Sequence, residues 1–132
     1  MKFNRRQFLK GASAAAAAMA APAFIGQAQA ADALKMAVIL DQTGGLDIYG
    51  RPMVDASNLA VEEINAAGGL LGKKIDLTVY DPQSTIQFYT QYATKAATSD
   101  RVDVVQAGIT SASRESIRPL LSRYRTLYFY NT

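Results

Sequence analysis

The sequence predicts an α/β fold with a doubly wound parallel sheet, on the basis of three observations. Four short apolar segments alternate with amphipathic segments of helical periodicity, in the order βαβαβαβ. The first apolar segment, residues 35–40, is a continuous run typical of a parallel strand buried on both faces. Glycine-containing or polar turns separate the segments. This alternation predicts parallel strands joined by right-handed crossovers, with helices on both faces of the sheet.

The first helix and the second strand follow from spacing and turn residues. The helix is predicted from Pro52, which a first turn tolerates, to about Ala67. Gly68 then ends it, since glycine adopts the left-handed C′ conformation without steric cost. Apolar and polar residues alternate over 75–80, which predicts a strand at or near a sheet edge. The helix face predicted to be buried comprises Met53, Ala56, Leu59, Ala60 and Ile64.

The second half of the chain repeats the pattern twice. A third strand is predicted over 102–105 and a fourth over 127–130. Pro119 lies within the third helix and predicts either a kink or a regular part delayed to about Arg118. The second helix has a predicted buried stripe of Ile86, Tyr89, Tyr92, Ala93, Ala96 and Ala97. The third helix has inward-facing positions at Ile117, Leu120, Leu121 and Tyr124.

The first thirty residues have the pattern of an export signal. Residues 4–10 carry a twin-arginine motif, and an uncharged alanine-rich run follows over 11–31. The alternative is a membrane anchor, because this run is long enough to span a bilayer. Its weakly apolar alanines and polar interruptions favour a signal cleaved near Ala30. We therefore predict a signal over 1–30, a mature region over 31–132, and no stable membrane insertion after cleavage.

The charge balance excludes a nucleic-acid partner. The formal net charge of +3 includes four basic residues of the signal, which contains no acidic residue. The remainder carries 10 basic and 11 acidic residues, a net charge of −1. The positive excess therefore belongs to the signal and indicates no binding of nucleic acid.

The composition also excludes several catalytic and metal sites. The sequence has no cysteine and no histidine, so it cannot form a disulfide, a zinc cluster or a Ser-His-Asp triad. Neither the G-x-G-x-x-G nucleotide fingerprint nor the G-x-S-x-G nucleophile elbow occurs, and no calcium loop is present. We predict no metal, no cofactor and no enzymatic activity, with a carboxylate-based secreted hydrolase as the less favoured alternative.

The candidate site is the hydroxyl-rich stretch over residues 107–115. It has the order of a strand end, a glycine turn and a helix start, with hydroxyls at Thr110, Ser111 and Ser113. A helix start presents unpaired N–H groups and suits a carboxylate, a phosphate or a polarised carbonyl oxygen. The alternative is that Ser113 only caps its helix and the other hydroxyls face water.

The predicted topology gives this stretch its place in the fold. Doubly wound sheets bind ligands beyond the carboxyl ends of strands, where the strand order reverses. We therefore expect the loops after strands one, three and four to meet there, namely 41–50, 108–113 and 131–132.

Several motifs resemble one receptor family. Residues 60–69 (AVEEINAAGG), with Gly72 and Ile75 behind them, resemble the first-helix signature of type I periplasmic solute-binding proteins. These proteins are the extracytoplasmic receptors of ABC importers for branched-chain amino acids, amides and urea. Residues 43–44 and 49–50 are similar to the first ligand loop of the family, and Ser111, eight residues before Pro119, is similar to the second. The resemblance covers nearly all of 34–132.

The resemblance implies roles for individual residues. Ser111 would donate to a ligand carboxylate or carbonyl oxygen, helped by N–H groups near Ser113. Thr132 would add a second hydroxyl contact, Tyr49 would form a pocket wall, and Ile109 would line the pocket. The alternatives are that Tyr49 packs on its own loop, Ile109 belongs to the core, and Thr132 is a frayed end.

The resemblance also limits the ligand class. Residues 110–114 and 128–130 look closest to the urea and short-chain amide branch. That branch tends to carry an aromatic residue where this chain has Ile109 and a proline where it has Asn131, so aliphatic amino acids stay open. The ligand is therefore predicted to be urea, a short-chain amide or an amino acid.

The family mechanism implies a function, a partner and a location. The implied protein is periplasmic and captures its solute between two lobes that close by hinge motion, for delivery to a membrane permease. Residues 31–132 would form only the N-terminal part of the first lobe. The alternatives are the ligand-sensing domain of a signalling receptor with the same fold, or the secreted hydrolase mentioned above.

Overall fold

In the computed structural model, which describes residues 33–130, four parallel strands form one sheet. The strands are β1 (Leu34–Ile39), β2 (Ile75–Tyr80), β3 (Val104–Ala107) and β4 (Leu127–Phe129). The helices between them are α1 (Asp47–Ala66), α2 (Ile86–Lys95) and α3 (Ser111–Arg123), and α2 continues into a π-helical turn, Ala96–Asp100. The predicted α/β class and element order are confirmed. The predicted signal over 1–30 and Thr132 lie outside the described residues.

The strand order is β2-β1-β3-β4, and all three pairings are parallel. Leu34 of β1 pairs with Ile75 of β2, and Met36 of β1 pairs with Val104 of β3. The edge position predicted for β2 is confirmed. Because the chain moves from β1 to β2 on one side and to β3 on the other, the strand order reverses between β1 and β3. Their carboxyl ends are therefore the place where this topology binds ligands.

Two of the helices cover one face of the sheet. Helices α2 and α3 bury their apolar sides against alternate residues of β1 and β3, since successive side chains of a strand point to opposite faces. Fully buried aliphatic side chains at Ile117 and Leu121 of α3 show how closely this layer packs. The buried cluster on this face contains Ala37, Ile39, Tyr80, Tyr89, Ala93, Ala96, Val102, Val105, Ala107, Ile117 and Leu121.

Helix α1 alone lies on the opposite face, where Val54 packs on Val38 and Leu40. The predicted buried stripe of α1 is wrong in most positions. Its buried residues are Gly50, Val54 and Ser57, whereas Leu59 is 57 % exposed. The helix is rotated from the predicted orientation because it packs over β1 and β2. The Ser57 hydroxyl donates to Gln106 of β3 (3.1 Å), and β4 is left uncovered.

The uncovered part of this face forms an apolar groove. A cavity of about 360 Å³ lies between α1 and the sheet. Leu127 and Phe129 of β4 are each 57 % exposed beyond it. The residues lining the cavity are Met36, Met53, Ala56, Ser57, Ala60, Val61, Ile64, Ile75 and Gln106. Among the described residues, no second helix covers this face.

Several boundaries and side-chain positions differ from the predictions. Strand β3 begins two residues later than predicted, because Asp103 instead accepts a hydrogen bond from the Lys35 N–H through its carboxylate (2.9 Å). Ile86 and Tyr124 are 40 % and 44 % exposed and do not belong to the buried stripes. Helix α3 is continuous through Pro119, so the delayed start is wrong. Within residues 33–130, none of the helices is both long and apolar enough to cross a membrane.

Helix α1 begins at Asp47, five residues before the predicted start at Pro52. Gly50 explains the early start, because its backbone lies directly against the backbone of Asp41 at the end of β1. A Cβ atom at Gly50 would lie 1.8 Å from the Asp41 carbonyl oxygen, far inside van der Waals contact. Only glycine lets the first turn of α1 approach the strand end this closely.

Gly50→Ala should therefore destabilise the mature protein. The added methyl group must move the first turn of α1 away from Asp41, and such overpacking costs about 1–3 kcal/mol or more. We expect the Tm in thermal unfolding to fall by more than about 5 °C. Gly45→Ala is the matched control, since a Cβ there meets no atom within 4 Å. Equal stability of the two variants would contradict the close approach of α1 to β1.

Candidate functional site

The site is built around the start of α3, where Thr110 is the N-cap with an extended backbone (φ −112°, ψ 156°). Thr110 and Ser113 form a capping box. The Ser113 N–H donates to the Thr110 hydroxyl (3.2 Å), and the Thr110 N–H donates to the Ser113 hydroxyl (3.1 Å). The Ser113 hydroxyl itself donates to the Thr110 carbonyl (2.8 Å). These bonds fix the geometry of the turn that enters the helix.

The two predicted serines have different environments. Ser113 is 1 % exposed, and both its hydroxyl and its N–H are engaged in the capping box. This geometry favours the capping role that the sequence left open, and a direct ligand contact by Ser113 stays a prediction. Ser111 is exposed on the first turn and takes no part in the box. Its hydroxyl and the first N–H groups of α3 therefore face solvent as hydrogen-bond donors.

The floor of the site is Gly108, which connects β3 to this turn with φ +86°. A Cβ at Gly108 would lie 3.1 Å from the Ser113 hydroxyl and 3.3 Å from the Tyr128 hydroxyl. Glycine is favoured here because its positive φ strains other residues and because three side chains crowd the position. The third is Tyr130, whose ring would lie 3.4 Å from that Cβ.

Two aromatic residues from the end of β4 border the site. The Tyr128 hydroxyl donates to the Ala107 carbonyl (3.0 Å), and burial raises its pKa to about 12. The Arg114 guanidinium lies over the Tyr130 ring at 4.8 Å from its centroid. It also donates from Nε to the Glu115 carboxylate (2.9 Å). The site thus has a hydroxyl-rich helix start with an aromatic and cationic border.

The other predicted site residues are placed as follows. Ile109 is half-buried and packs against the core cluster under α1, so it contributes to the core. Tyr49 lies in the first turn of α1 and is 59 % exposed. Roles for Ile109 and Tyr49 in lining a pocket stay predictions. Thr132 lies outside the described residues, and its contact stays a prediction too.

The loop after β1 is held by the loop after β2, a partner that the sequence analysis did not include. The Asp81 carboxylate accepts bonds from the Thr43 hydroxyl (2.7 Å) and from the Gln42 N–H (3.0 Å). Burial acts to raise the pKa of Asp81, but the hydrogen bonds from Thr43, Gln42 and Gln83 outweigh it, so the pKa is lowered. The ionised carboxylate therefore fixes the shape of both loops.

The sequence pattern also did not predict the buried carboxylate of Asp41 at the end of β1. Asp41 is fully buried and accepts a hydrogen bond from the Ser84 N–H (2.7 Å) and one from the Tyr89 hydroxyl (2.9 Å). Burial raises the pKa of Tyr89 well above its usual value, and the hydrogen bond to Asp41 raises it further. The sequence offered two signals: Asp41 lies directly after a buried strand, and Tyr89 lies on the predicted buried stripe of α2. Neither signal indicates that the two side chains form a hydrogen bond.

Residues that could hold a metal ion are not assembled here. Among residues 33–130, no group of three or more acidic side chains lies close enough together to bind one. The hydroxyl and N–H donors at the start of α3 instead suit an oxygen acceptor such as a carboxylate or a carbonyl.

The family is shown by comparison with known proteins. Residues 34–132 match the family described as periplasmic binding protein domain, and residues 2–22 match the signal sequence of the twin-arginine translocation pathway. The chain therefore belongs to the type I periplasmic binding proteins of ABC importers. The resemblance and the prediction of periplasmic export are confirmed, whereas cleavage near Ala30 stays a prediction.

Three known proteins illustrate what the chain is similar to. A leucine-, isoleucine-, valine-, threonine- and alanine-binding protein of Pseudomonas aeruginosa is 31% identical over 99 residues, which are 75% of this chain and 26% of the relative. The isoleucine complex of the branched-chain amino acid transporter substrate-binding protein LivJ from Streptococcus pneumoniae superposes with a TM-score of 0.72 at 26% identity. That match covers 74% of this chain and 28% of LivJ.

The third is the leucine-binding protein LivK of Thermotoga maritima, with a TM-score of 0.68 and 26% identity over 74% of this chain and 27% of LivK. The chain thus spans about a quarter of the length of the relatives that it matches. The matched quarter contains the sheet and the start of α3.

Comparison of Ser113→Ala with Ser111→Ala tests which of the two serines caps α3. Ser113→Ala removes the three hydrogen bonds between the Ser113 hydroxyl and Thr110, and we expect it to lower the free energy of unfolding by about 1–2 kcal/mol. Ser111→Ala removes an exposed hydroxyl and should change it by less than about 0.5 kcal/mol. Urea denaturation of both variants measures the difference. A larger loss for Ser111→Ala would show that the cap is assigned to the wrong serine.

Proposed function

We propose that the protein is an extracytoplasmic receptor that captures a small polar solute for an ABC importer, without chemical conversion of the solute. The observation that carries this proposal is the exposed Ser111 at the start of α3, beside the point where the strand order reverses. Ligands of doubly wound folds bind at this position. Membership of the periplasmic binding protein family supports the same role.

In this proposal, Ser111 binds an oxygen of the solute. Its hydroxyl donates to a carboxylate or carbonyl oxygen, and the unpaired N–H groups of the first turn donate beside it. The positive end of the α3 dipole favours a negative charge at this place. Tyr49, Ile109 and Thr132 are proposed as further lining residues, and Ser113 acts through the cap that it forms with Thr110.

We assign the second half of the pocket to a second lobe, which lies outside residues 31–132. Residues 31–132 are the N-terminal part of the first lobe in this assignment, after removal of a signal over 1–30. The relatives support it, because the chain spans only about a quarter of their length. Closure of two lobes over the solute by hinge motion would complete the contacts and present the closed form to a membrane permease.

An aliphatic amino acid is the solute that we favour. Ile109 lies two residues before Ser111 and is only half-buried, and in this proposal its exposed part forms the aliphatic lining. The Pseudomonas aeruginosa relative is named for binding leucine, isoleucine, valine, threonine and alanine. Its name and the Ile109 surface agree in indicating a solute with a carboxylate and a short apolar side chain.

A short-chain amide or urea is the second candidate. The aromatic rings of Tyr128 and Tyr130 crowd the Gly108 floor of the site. Flat aromatic faces suit a planar ligand, and the Arg114 guanidinium over Tyr130 adds a second planar group. This border supports the amide class, whereas Ile109 supports the amino acid class.

A thermal-shift panel on the complete mature protein separates the two candidates. Leucine, isoleucine, valine, alanine, acetamide and urea are tested, with glucose as the control solute. A ligand at a hundred times its Kd stabilises by about 2.7 kcal/mol, so we expect a clear Tm rise with the aliphatic amino acids. A response to acetamide or urea alone would assign the solute to the amide class. A flat response to all six would contradict both.

Ser111→Ala should weaken capture of the solute that the panel identifies. A hydrogen bond to a charged group contributes about 1.5–3 kcal/mol, so we expect a roughly 10- to 100-fold higher Kd in isothermal titration calorimetry. Ser122→Ala is the matched control, because Ser122 is exposed on the last turn of the same helix. An unchanged Kd for Ser111→Ala would show that the solute binds elsewhere.

A further inference from the structure

The loop after β2 contains two consecutive residues with a left-handed backbone, although neither is glycine. Gln83 has φ +54° and Ser84 has φ +57°. Residues other than glycine rarely adopt this conformation, because the Cβ atom crowds a backbone carbonyl oxygen. The Gln83 N–H donates to the Asp81 carboxylate (3.0 Å). The Ser84 N–H donates to the Asp41 carboxylate (2.7 Å). Two carboxylates thus hold the strained pair in place, and strain of this kind persists only where the surrounding structure fixes it.

The side chain of Ser84 contacts the start of α1. Its hydroxyl accepts a hydrogen bond from the Leu46 N–H (3.0 Å). Leu46 is the N-cap of α1, and its apolar side chain cannot accept a hydrogen bond from the helix as serine or aspartate would. The loop also lies against Gly44, where a Cβ atom would be 2.8 Å from the Ser84 hydroxyl. The loop after β2 therefore supplies a polar contact that the N-cap itself does not provide.

This contact replaces one half of a capping box. In a capping box, the side chain of the third helical residue accepts a hydrogen bond from the N-cap N–H. The third residue of α1 is Tyr49, and its side chain is 59 % exposed instead of bonding back to Leu46. Ser84 provides the acceptor from a different loop. The third position of α1 therefore needs no capping side chain and can carry an exposed aromatic residue.

The start of α1 lies at the same edge of the sheet as the proposed site. Gly50, which follows Tyr49, lies against the backbone of Asp41 at the end of β1. The Gly108 N–H in the floor of the site donates to the Ile39 carbonyl of the same strand (3.3 Å). Helices α1 and α3 pack on opposite faces of the sheet. Their first turns therefore lie on either side of the point where the strand order reverses.

We propose that Ser84 is a positioning residue for solute binding, which caps α1 from the loop after β2 and fixes Tyr49 as a wall of the pocket. Its hydroxyl contacts Leu46 and its N–H contacts Asp41, so it acts through the start of α1 and not by contact with the solute. Residues that bind a ligand need support that holds them within about half an ångström of the productive geometry. This inference rests on the proposed function, in which Tyr49 lines the pocket.

The first test is Ser84→Ala in the complete mature protein, with the Kd measured by isothermal titration calorimetry. Leucine is the probe, or acetamide if the thermal-shift panel assigns the solute to the amide class. Loss of the hydroxyl leaves the N-cap of α1 without its acceptor, and we expect roughly three- to tenfold weaker binding.

Thr85→Ala is the matched control for this test. The Thr85 hydroxyl belongs to the same loop, but it donates to the Gln83 carbonyl (3.2 Å) and not to α1. We expect the Kd of this variant to equal that of the wild-type protein. A loss as large as that of Ser84→Ala would assign the effect to the loop in general and overturn the proposal.

A double-mutant cycle with Tyr49→Ala distinguishes positioning from a purely structural role. If Ser84 acts through Tyr49, Ser84→Ala weakens binding much less in the Tyr49→Ala background than in the wild-type protein. Equal losses in the two backgrounds would overturn the proposal, as would an unchanged Kd for either single variant. Those results leave the binding role of Ser111 intact, whereas an unchanged Kd for Ser111→Ala contradicts the proposed function itself.

A second variant covers the case in which Ser84→Ala does not fold. Ser84→Gly also removes the hydroxyl, but glycine adopts a φ of +57° without strain, so the loop keeps its path. The same cycle with Tyr49→Ala should then show the same coupling. Additive losses in that cycle, or a Kd equal to wild type for Ser84→Gly, would overturn the proposal.

Discussion

The described structure depends on the hydrogen bonds of one buried carboxylate at the end of its central strand. Asp41 accepts from the Ser84 N–H in the loop after β2 and from the Tyr89 hydroxyl of α2. Its backbone carries the close approach of Gly50 at the start of α1. Three elements therefore meet at one residue, and each uses a different part of it. The loops after β1 and β2 take their positions from this contact.

The site divides into an inner and an outer layer. The buried Ser113 is engaged with Thr110, and the buried Asp41 carboxylate with Ser84 and Tyr89, so these groups are unavailable to a solute. Exposed donors remain only where the chain turns outward, at Ser111 and the first N–H groups of α3. A hydroxyl-rich stretch thus serves the fold on its inner side and presents donors on its outer side.

The sequence was sufficient to predict the class, the element order and the edge position of β2, because these follow from local periodicity. It was insufficient for the orientation of α1, since Gly50, Val54 and Ser57 are buried by contacts with Asp41, β1 and β3 that no local periodicity indicates. The hydroxyl-rich stretch was predicted as a site, yet its division into Ser113 and Ser111 depends on which N-cap forms. Likewise, Asp41 and Tyr89 lie 48 residues apart, and no local pattern indicates that they form a pair.

A site on one exposed helix start limits the affinity that this part of the protein can supply. Two or three hydrogen bonds from one exposed helix start contribute about as much as association costs in lost freedom, so little net affinity is left. Substantial affinity in the proposed receptor therefore requires contacts from a second lobe, which also exclude water from the solute. The first lobe then has to supply accurate geometry more than binding energy. The capping box of Thr110 and Ser113, which fixes the turn that carries Ser111, is the part of the structure that meets this requirement.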